Sequence, residues 1–227
     1  MPALSRVKAR ARPFVILNAA MSLDGKIATS TGDSKLSSPE DLKRVHILRA
    51  SVDGIMVGEK TLQVDDPRLT VKLARGRNPQ RVIVDSLART PLRARVVQTA
   101  RETPTLIAVT TQAPKQRVIA LEKAGVTVLK CGNGRLVSLT LLLRKLRAMG
   151  MRSILVEGGG TLNWSMVSEG LVDEVSVAVS PRILGGESAV SLVEGPGVRT
   201  TAEGIRLRLI SASRYGVDLV LRYKVVG

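Results

Sequence analysis

Several short stretches concentrate the residue types that bind anions or move protons. In ILVEGGGTLNWSM, an apolar run from Ile154 to Glu157 meets Gly158, Gly159 and Gly160, followed by Thr161 and a helical pattern carrying Leu162, Met166 and Val167. Glycines let backbone N–H groups approach an anion closely, and a helix N-terminus adds partial positive charge there. The chemistry this suits is phosphate or dinucleotide binding, although no Gly-Lys-Ser/Thr follows to make a P-loop. CGNGRLV (131–137) also joins a strand to a helix, but Val137 stands where a dinucleotide fingerprint needs its third glycine. Its plain reading is a glycine-rich turn.

GEKTLQVDDPRLTV (58–71) places a hydroxyl, the adjacent carboxylates Asp65 and Asp66 and a proline turn directly after a strand end. Open α/β sheets bind ligands at such ends, so Asp65 suits a hydrogen bond to a sugar or base; capping of a turn by both carboxylates is the plain alternative. NAAMSLDGKIA (18–28) leaves a strand into a turn at Asp24-Gly25, with Lys26 placed to meet a phosphate or a carbonyl, or simply solvent. His46 falls in the middle of a helical pattern and reads as a packing or polar contact. With Cys131 the only cysteine and His46 the only histidine, a Cys/His zinc site has too few ligands.

The elements that must position these residues alternate along the whole chain. Apolar runs read as strands at 13–20, 52–58, 80–85, 104–110, 126–130, 152–157 and 173–180, the pattern of a mostly parallel sheet flanked by helices. Two alternating stretches, 205–215 and 218–225, meet at Gly216-Val217 and read as an antiparallel hairpin closing one edge. Ser38-Pro39-Glu40-Asp41 supplies an N-cap, a first-turn proline and two acids to a helix running to about Ala50. Helical patterns over 115–124 and 138–149 stop at Gly125 and Gly150. No linker or repeat interrupts this order, so a single domain over 13–227 behind a basic extension over 1–12 is expected. Burial of the 173–180 run as an apolar edge strand between two copies of the chain is a further expectation.

The 227 residues are 44% hydrophobic and 24% charged, a globular composition whose core must be aliphatic, since Phe14, Trp164, Tyr215 and Tyr223 are the only aromatics. A domain of this size buries roughly 70% of its unfolded surface. No apolar stretch suits a signal peptide or a membrane span, so a cytoplasmic protein without a membrane partner is expected. The net charge of +16 favours anionic partners such as phosphorylated metabolites, dinucleotides or nucleic acid. The excess is partly localised: Arg68, Lys72, Arg75, Arg77, Arg81, Arg89, Arg93, Arg95 and Arg101 face only Asp85 between 68 and 101. A nucleic-acid-binding module remains a rival reading, but so few aromatics leave it no base-stacking platform.

Taken together, NAAMSLDGKIAT, GDSKLSSPEDLKRVHILRA, DGIMVGEKTLQVDDPRLTV, NPQRVIVDS, ILVEGGGTLNWSMVSEGLVDEV and SPRILGGE resemble, in this order and spacing, the riboflavin-pathway reductases. The resemblance spans about residues 13 to 225 and is to the stand-alone 2,5-diamino-6-(ribosylamino)pyrimidinone 5′-phosphate reductases of archaeal and fungal type. The same block is similar to the reductase half of bacterial bifunctional deaminase-reductases. It implies a dihydrofolate-reductase-like α/β fold, a homodimer, and NADPH-dependent reduction of a phosphoribosyl side chain to a ribityl chain, with NADH left open as a second donor. No H-x-E with P-C-x-x-C is present, so reduction without deamination is expected.

Carried over motif by motif, the resemblance implies a cofactor side of Thr61, Asp65, Ser86, Leu87, Ala88, Arg89, Arg135, Gly158, Gly159, Gly160 and Thr161. Arg89 and Arg135 would meet the 2′-phosphate. Ser34, Arg49, Asp66, Leu69 and Glu157 match substrate-side positions, with Lys26 nearby and Arg49 or Lys72 facing the 5′-phosphate. Lys72 stands where bacterial relatives carry arginine, exchanging a bidentate fork for a point charge. The proton donor stays open among Glu157, Asp66 and a water held by Lys26. A reductase of the already deaminated pyrimidine, and a dihydrofolate-reductase-like protein without activity, are the other readings.

Overall fold

The structure, a computed structural model, describes residues 10–226. Of the basic extension over 1–12, residues 1–9 therefore lie outside the described residues. Strands β1 (Phe14–Ser22), β2 (Gly54–Gly58), β3 (Gln80–Val84), β4 (Thr105–Val109), β5 (Thr127–Lys130), β6 (Ser153–Val156), β7 (Glu174–Ser180), β8 (Arg206–Tyr215) and β9 (Asp218–Val226) form one sheet. Its order is β5-β4-β3-β2-β6-β1-β7-β9-β8. The strands from β5 across to β7 are parallel, and the β8–β9 hairpin is antiparallel to them at the far side.

A parallel sheet with helices on both faces needs strands that are apolar on both sides, and these are. Met56, Val82, Leu106 and Ala108 point to the face covered by α5 (Leu139–Ala148) and α6 (Gly160–Ser168), meeting Leu142, Leu143, Leu146 and Met166. Their neighbours Ile55, Val57, Ile83 and Ile107 point the other way, against Leu62 of α2 (Glu59–Asp65), Val96 and Val97 of α3 (Arg95–Gln98) and Leu121 of α4 (Lys115–Lys123). Helix α1 (Pro39–Ala50) begins as its sequence requires, with the Ser38 hydroxyl accepting the Asp41 N–H at 3.3 Å. Gly125 and Gly150 take positive φ (+92° and +95°) just past α4 and α5, where side-chain-bearing residues are strained.

Two expectations change. The TLQVDDP stretch is not an irregular turn: Glu59 to Asp65 forms α2, too short for its period to be read, and Asp66 ends it in a left-handed conformation (φ 38°). Strand β7 is not at an edge, because β9 pairs with it and β8 lies outside β9. The exposed apolar edge is β8, whose Leu207, Leu209 and Ile210 are each about half exposed.

From β5 the chain crosses back through α5 to insert β6 between β1 and β2. The carboxyl ends of β1, β2 and β6 thus lie side by side at the point where the order of the sheet reverses, the position at which open α/β sheets bind ligands.

Beneath this end, Arg12 clamps Asp173 at the start of β7 with Nη1 at 2.7 Å and Nη2 at 3.1 Å, Arg10 adds Nη2 at 3.0 Å, and the Val15 N–H donates at 2.8 Å. Burial pushes the Asp173 carboxyl up, but these donors and the charges of Arg12 and Arg10 more than offset it, leaving it below its ordinary 3.8. A carboxyl depressed in the folded state stabilises above its unfolded pKa and loses that contribution as pH falls through the folded value. Asp173→Asn is therefore expected to lower the unfolding free energy by about 1–3 kcal/mol at pH 7. Urea melts repeated towards acid should show the gap between the two proteins closing.

Candidate active site

A cleft of about 860 Å³ opens along the carboxyl ends of the parallel strands, a size suited to small-molecule ligands. Its floor is the glycine turn after β6. The Glu157 N–H donates to the Met56 carbonyl at 2.9 Å and the Gly58 N–H to the Gly158 carbonyl at 2.8 Å, so the turn continues the β2–β6 pairing. Gly159 is the N-cap of α6 and no side chain caps the helix. The first-turn N–H groups are therefore free for an anion.

Glycine is required here by packing as well. A Cβ on Gly159 would sit 3.1 Å from the Thr61 hydroxyl oxygen, and one on Gly160 would sit 2.6 Å from the Ser191 carbonyl oxygen. The latter belongs to a strap, residues 189–195, whose Glu194 N–H donates to the Gly160 carbonyl at 3.0 Å and whose Leu192 carbonyl accepts from Asn163 Nδ2 at 2.8 Å.

One wall is built on α1. Arg49 grips Glu157 with Nε to Oε1 at 2.9 Å and Nη2 to Oε2 at 2.6 Å, and spends Nη1 on the Thr70 carbonyl at 3.2 Å. Burial works against the Arg49 charge, but the carboxylate beside it raises the guanidinium above its usual range. One turn earlier on α1, His46 is pushed down by burial and by the Arg49 and Lys72 charges, against the pull of Glu157. Its Nδ1 accepts the Lys72 N–H at 3.0 Å, so a neutral imidazole holds the loop after α2.

The opposite wall is α2 with the loop over 23–38. Thr61 and Asp65 stand one turn apart on α2, and Ser34 Oγ donates to Asp65 Oδ1 at 3.4 Å. Burial raises the Asp65 carboxyl and the negative charge of Asp33 raises it further, while the Ser34 bond works the other way. At the far end the cleft is lined by Ser86, Leu87 and Arg89 after β3, Gln112 after β4, and Arg135, Leu136 and Val137 after β5. Arg135 is exposed there; Arg89 reaches Glu59 at 3.0 Å.

Of the residues that the sequence offers, Ser34, Arg49, Thr61, Asp65, Ser86, Leu87, Arg89, Arg135, Glu157 and the turn from Gly158 to Thr161 line this one cleft. Lys26, Asp66, Leu69, Lys72 and Ala88 do not. Lys26 Nζ is tied to the strap, donating to the Ala189 carbonyl at 3.2 Å and Ser191 Oγ at 3.1 Å. Nearby Asp24 is held at about 2 by the Ser22 hydroxyl and the Leu184 and Gly185 N–H groups, which fastens the same turn to the loop after β7. Asp66 Oδ1 accepts the Arg95 N–H at 2.8 Å, and Leu69 and Ala88 are buried. Among the described residues, Asp66, Leu69 and Ala88 are also the non-glycine residues at positive φ (38°, 52° and 55°), a strain of about 1–3 kcal/mol each that shapes the loops behind the walls.

Sequence reasoning missed Asn18, Gln112, Asn163 and Glu194, all of which line the cleft. Asn18 left a signal, a lone amide in the middle of an apolar strand; its Oδ1 accepts from Arg44 Nη2 at 3.0 Å. Among the described residues no group of three or more His, Cys, Asp or Glu side chains is arranged to hold a metal, and no helix is long and apolar enough to cross a membrane.

Comparison with known proteins places this geometry among relatives. The model of the RibD C-terminal domain matches residues 13–221. A 2,5-diamino-6-ribosylamino-4(3H)-pyrimidinone 5′-phosphate reductase of Methanothermobacter thermautotrophicus is 51% identical over 219 residues, covering 95% of this chain and all of that protein. Among solved structures, Acinetobacter baumannii RibD superposes with a TM-score of 0.82 at 27% identity, covering 95% of this chain, which spans only 58% of that one. A dihydrofolate reductase of Enterococcus faecalis, at 12% identity and a TM-score of 0.50 over 94% of this chain and 97% of its own, shares the fold alone.

The Arg49–Glu157 pair carries its own test. Arg49→Met leaves a largely buried carboxylate without its cation and is expected to cost about 2–4 kcal/mol in urea unfolding. The double variant with Glu157→Met should lose clearly less than the sum of the two single losses. Additive losses would mean that the two side chains are not coupled.

Proposed function

The chain belongs to the RibD C-terminal domain family, and from that premise we propose that it reduces the ribosyl side chain of 2,5-diamino-6-(5-phosphoribosylamino)pyrimidin-4(3H)-one to the ribityl form, using NADPH. The observation that carries the reading is the uncapped α6 N-terminus, opening with a side-chain-free glycine turn onto a cleft that has cations at one end and the Arg49–Glu157 pair and Asp65 at the other.

These residues fit a nicotinamide dinucleotide. The free N–H groups of Gly160 and Thr161 suit its diphosphate, and no Cβ crowds the approach. Ser86, Leu87, Arg89 and Arg135 suit the adenosine end, where two arginines favour the extra phosphate of NADPH over NADH. When bound, that cofactor supplies the hydride. The chain's own part is to orient the sugar: the Arg49 fork is fixed by Glu157, and Ser34 and Thr61 offer hydroxyls on the facing wall. Three of the five Arg49 donors are spent on Glu157 and Thr70 and Lys72 lies outside the cleft lining, so a 5′-phosphate on this wall would meet the two remaining Arg49 N–H groups.

The same reading takes residues 13–227 as one reductase domain of a cytoplasmic homodimer. The exposed apolar side chains of β8 support the second copy.

Purified protein mixed with NADPH and the freshly made diaminopyrimidine ribosylamine phosphate should consume the reduced nicotinamide absorbance. No consumption would overturn the reading, and consumption only with the deaminated pyrimidine would move the enzyme one step along the pathway. Arg135→Ala is expected to raise the KM for NADPH about tenfold while leaving that for NADH within about twofold. Equal effects on the two cofactors would remove Arg135 from the 2′-phosphate site.

A further inference from the structure

Helix α1 grips the loop that follows α2 at two points one turn apart. Arg49 donates Nη1 to the Thr70 carbonyl at 3.2 Å, and His46 Nδ1 accepts the Lys72 N–H at 3.0 Å. The Val71 N–H between them donates to Asn78 Oδ1 at 2.8 Å. The two grips differ in one chemical respect: a guanidinium keeps its proton throughout the working range, whereas an imidazole titrates near neutrality. A backbone N–H can only donate, so the bond to Lys72 requires a bare Nδ1, with the imidazole proton on Nε2. A second proton on the ring sets a donor against a donor and breaks the bond.

The rest of the loop shows why this bond matters. Its start is fixed without α1, because buried Arg81 donates to the Arg68 carbonyl at 3.3 Å and Leu69 is itself buried. Thr70 to Lys72 depend on α1 and on Asn78. The Thr70 carbonyl takes up Nη1 of the arginine that forks onto Glu157, and so decides which Arg49 N–H groups are left for the cleft. We propose that His46 is a positioning residue for the phosphate end of the substrate. Its unprotonated Nδ1 holds Thr70 to Lys72 against α1 and keeps Arg49 set to receive the 5′-phosphate. A second proton on the ring releases the loop and weakens substrate binding, while the cofactor side is left as it was. The role rests on the reductase reading given above.

The charged groups around the ring come from each element packed against it. On α1 these are Arg49 one turn on and Lys43 one turn back, from the loop Lys72, and from the end of β6 the Glu157 carboxylate, which is itself bonded to Arg49. Burial and the Arg49 and Lys72 cations weaken the hold on a second proton, against the pull of Glu157, and leave the imidazole below its ordinary 6.5. The loop is therefore engaged at neutral pH and lets go only on acidification.

His46 is the only histidine of the chain, so the protein without a purification tag gives one imidazole titration by NMR. The test compares wild type with His46→Asn and His46→Leu in that titration, in the Lys72 N–H signal, in NADPH binding by fluorescence, and in steady-state KM from about pH 8 to about pH 5. Asparagine places an acceptor oxygen where Nδ1 stood and does not titrate; leucine offers no acceptor. In wild type the Lys72 N–H signal should move with the imidazole. On acidification the KM for the pyrimidine should rise about fivefold more in wild type than in His46→Asn, a comparison that removes the titration of the substrate's own phosphate in the same range. His46→Leu should raise that KM about fivefold already at neutral pH, with NADPH affinity within about twofold. The proposal is overturned if His46→Asn shows the same acid rise as wild type, if His46→Leu keeps its KM, or if NADPH affinity falls along with substrate affinity. Failure of the wild type to oxidise NADPH with either pyrimidine would instead remove the reductase reading, and the substrate role of His46 with it, while the Lys72 N–H would still follow the imidazole.

Discussion

The ion pair between Arg49 and Glu157 is the joint on which the cleft depends. It fastens the last turn of α1 to the end of β6, and through Nη1 and the Thr70 carbonyl it also fixes the loop that follows α2. Three segments far apart in sequence therefore meet at one guanidinium, in a planar fork that lysine has no means of reproducing. Desolvation makes such a pair a weak source of net stability, but a strong determinant of position, because removing either partner leaves the other charge largely buried and alone. The neutral His46 one turn earlier extends the same joint to the backbone of Lys72.

Above this joint the glycine turn has two constraints that act in the same direction. The anion-binding role wants exposed N–H groups without side chains, and the packing wants the same absence, since Thr61 and the strap fill the space that side chains on Gly159 and Gly160 would take. The strap is held in turn by Lys26 and Asn163, and Asp24 draws the loop before it onto the turn after β1. Lys26 and Asp24 thus contribute to the cleft by closing its back, at a distance from its lining.

Most of the architecture was legible in the sequence because each strand is an apolar run bounded by turn residues and α1, α4 and α5 carry their own start or stop signals. Helix α2 was hidden by its length, and by the Asp-Asp-Pro sequence that reads as a turn and in fact only ends it. The place of β7 was misjudged because which strand pairs with which is decided by the hairpin folding back on it, a long-range choice that the local pattern does not carry. The site divides in the same way. The glycine turn from Glu157 to Thr161 was legible from its place after a strand end, whereas Ser86 to Arg89 were legible only through the family resemblance. The pairing of Arg49 with Glu157 across 108 positions, and the seating of Glu194 on the glycine turn, depend on tertiary packing and left no local trace.

The basic composition takes on a different meaning in three dimensions. Arg81 lies wholly buried, donating to the carbonyls of Arg68, Thr99 and Thr103, and burial pushes its guanidinium down to about 10 with only the distant charge of Glu102 acting against this. Arg117 spans the Ala88 and Thr90 carbonyls at 3.0 and 2.7 Å, Arg182 reaches the Leu36 carbonyl at 3.1 Å, and Arg44 joins Asp41, Ser176 and Asn18. Each of these guanidiniums ties loops or strands together, and all but Arg182 do so through several nitrogens at once. In a chain with four aromatic residues, long planar side chains that combine an apolar stem with a fork of donors take over part of the work of fixing loops. Several arginines therefore act as scaffolding for strands and loops while most stay exposed, so net charge alone did not single out a ligand, and the cations that matter for one are those, such as Arg135, that line the cleft without such a task.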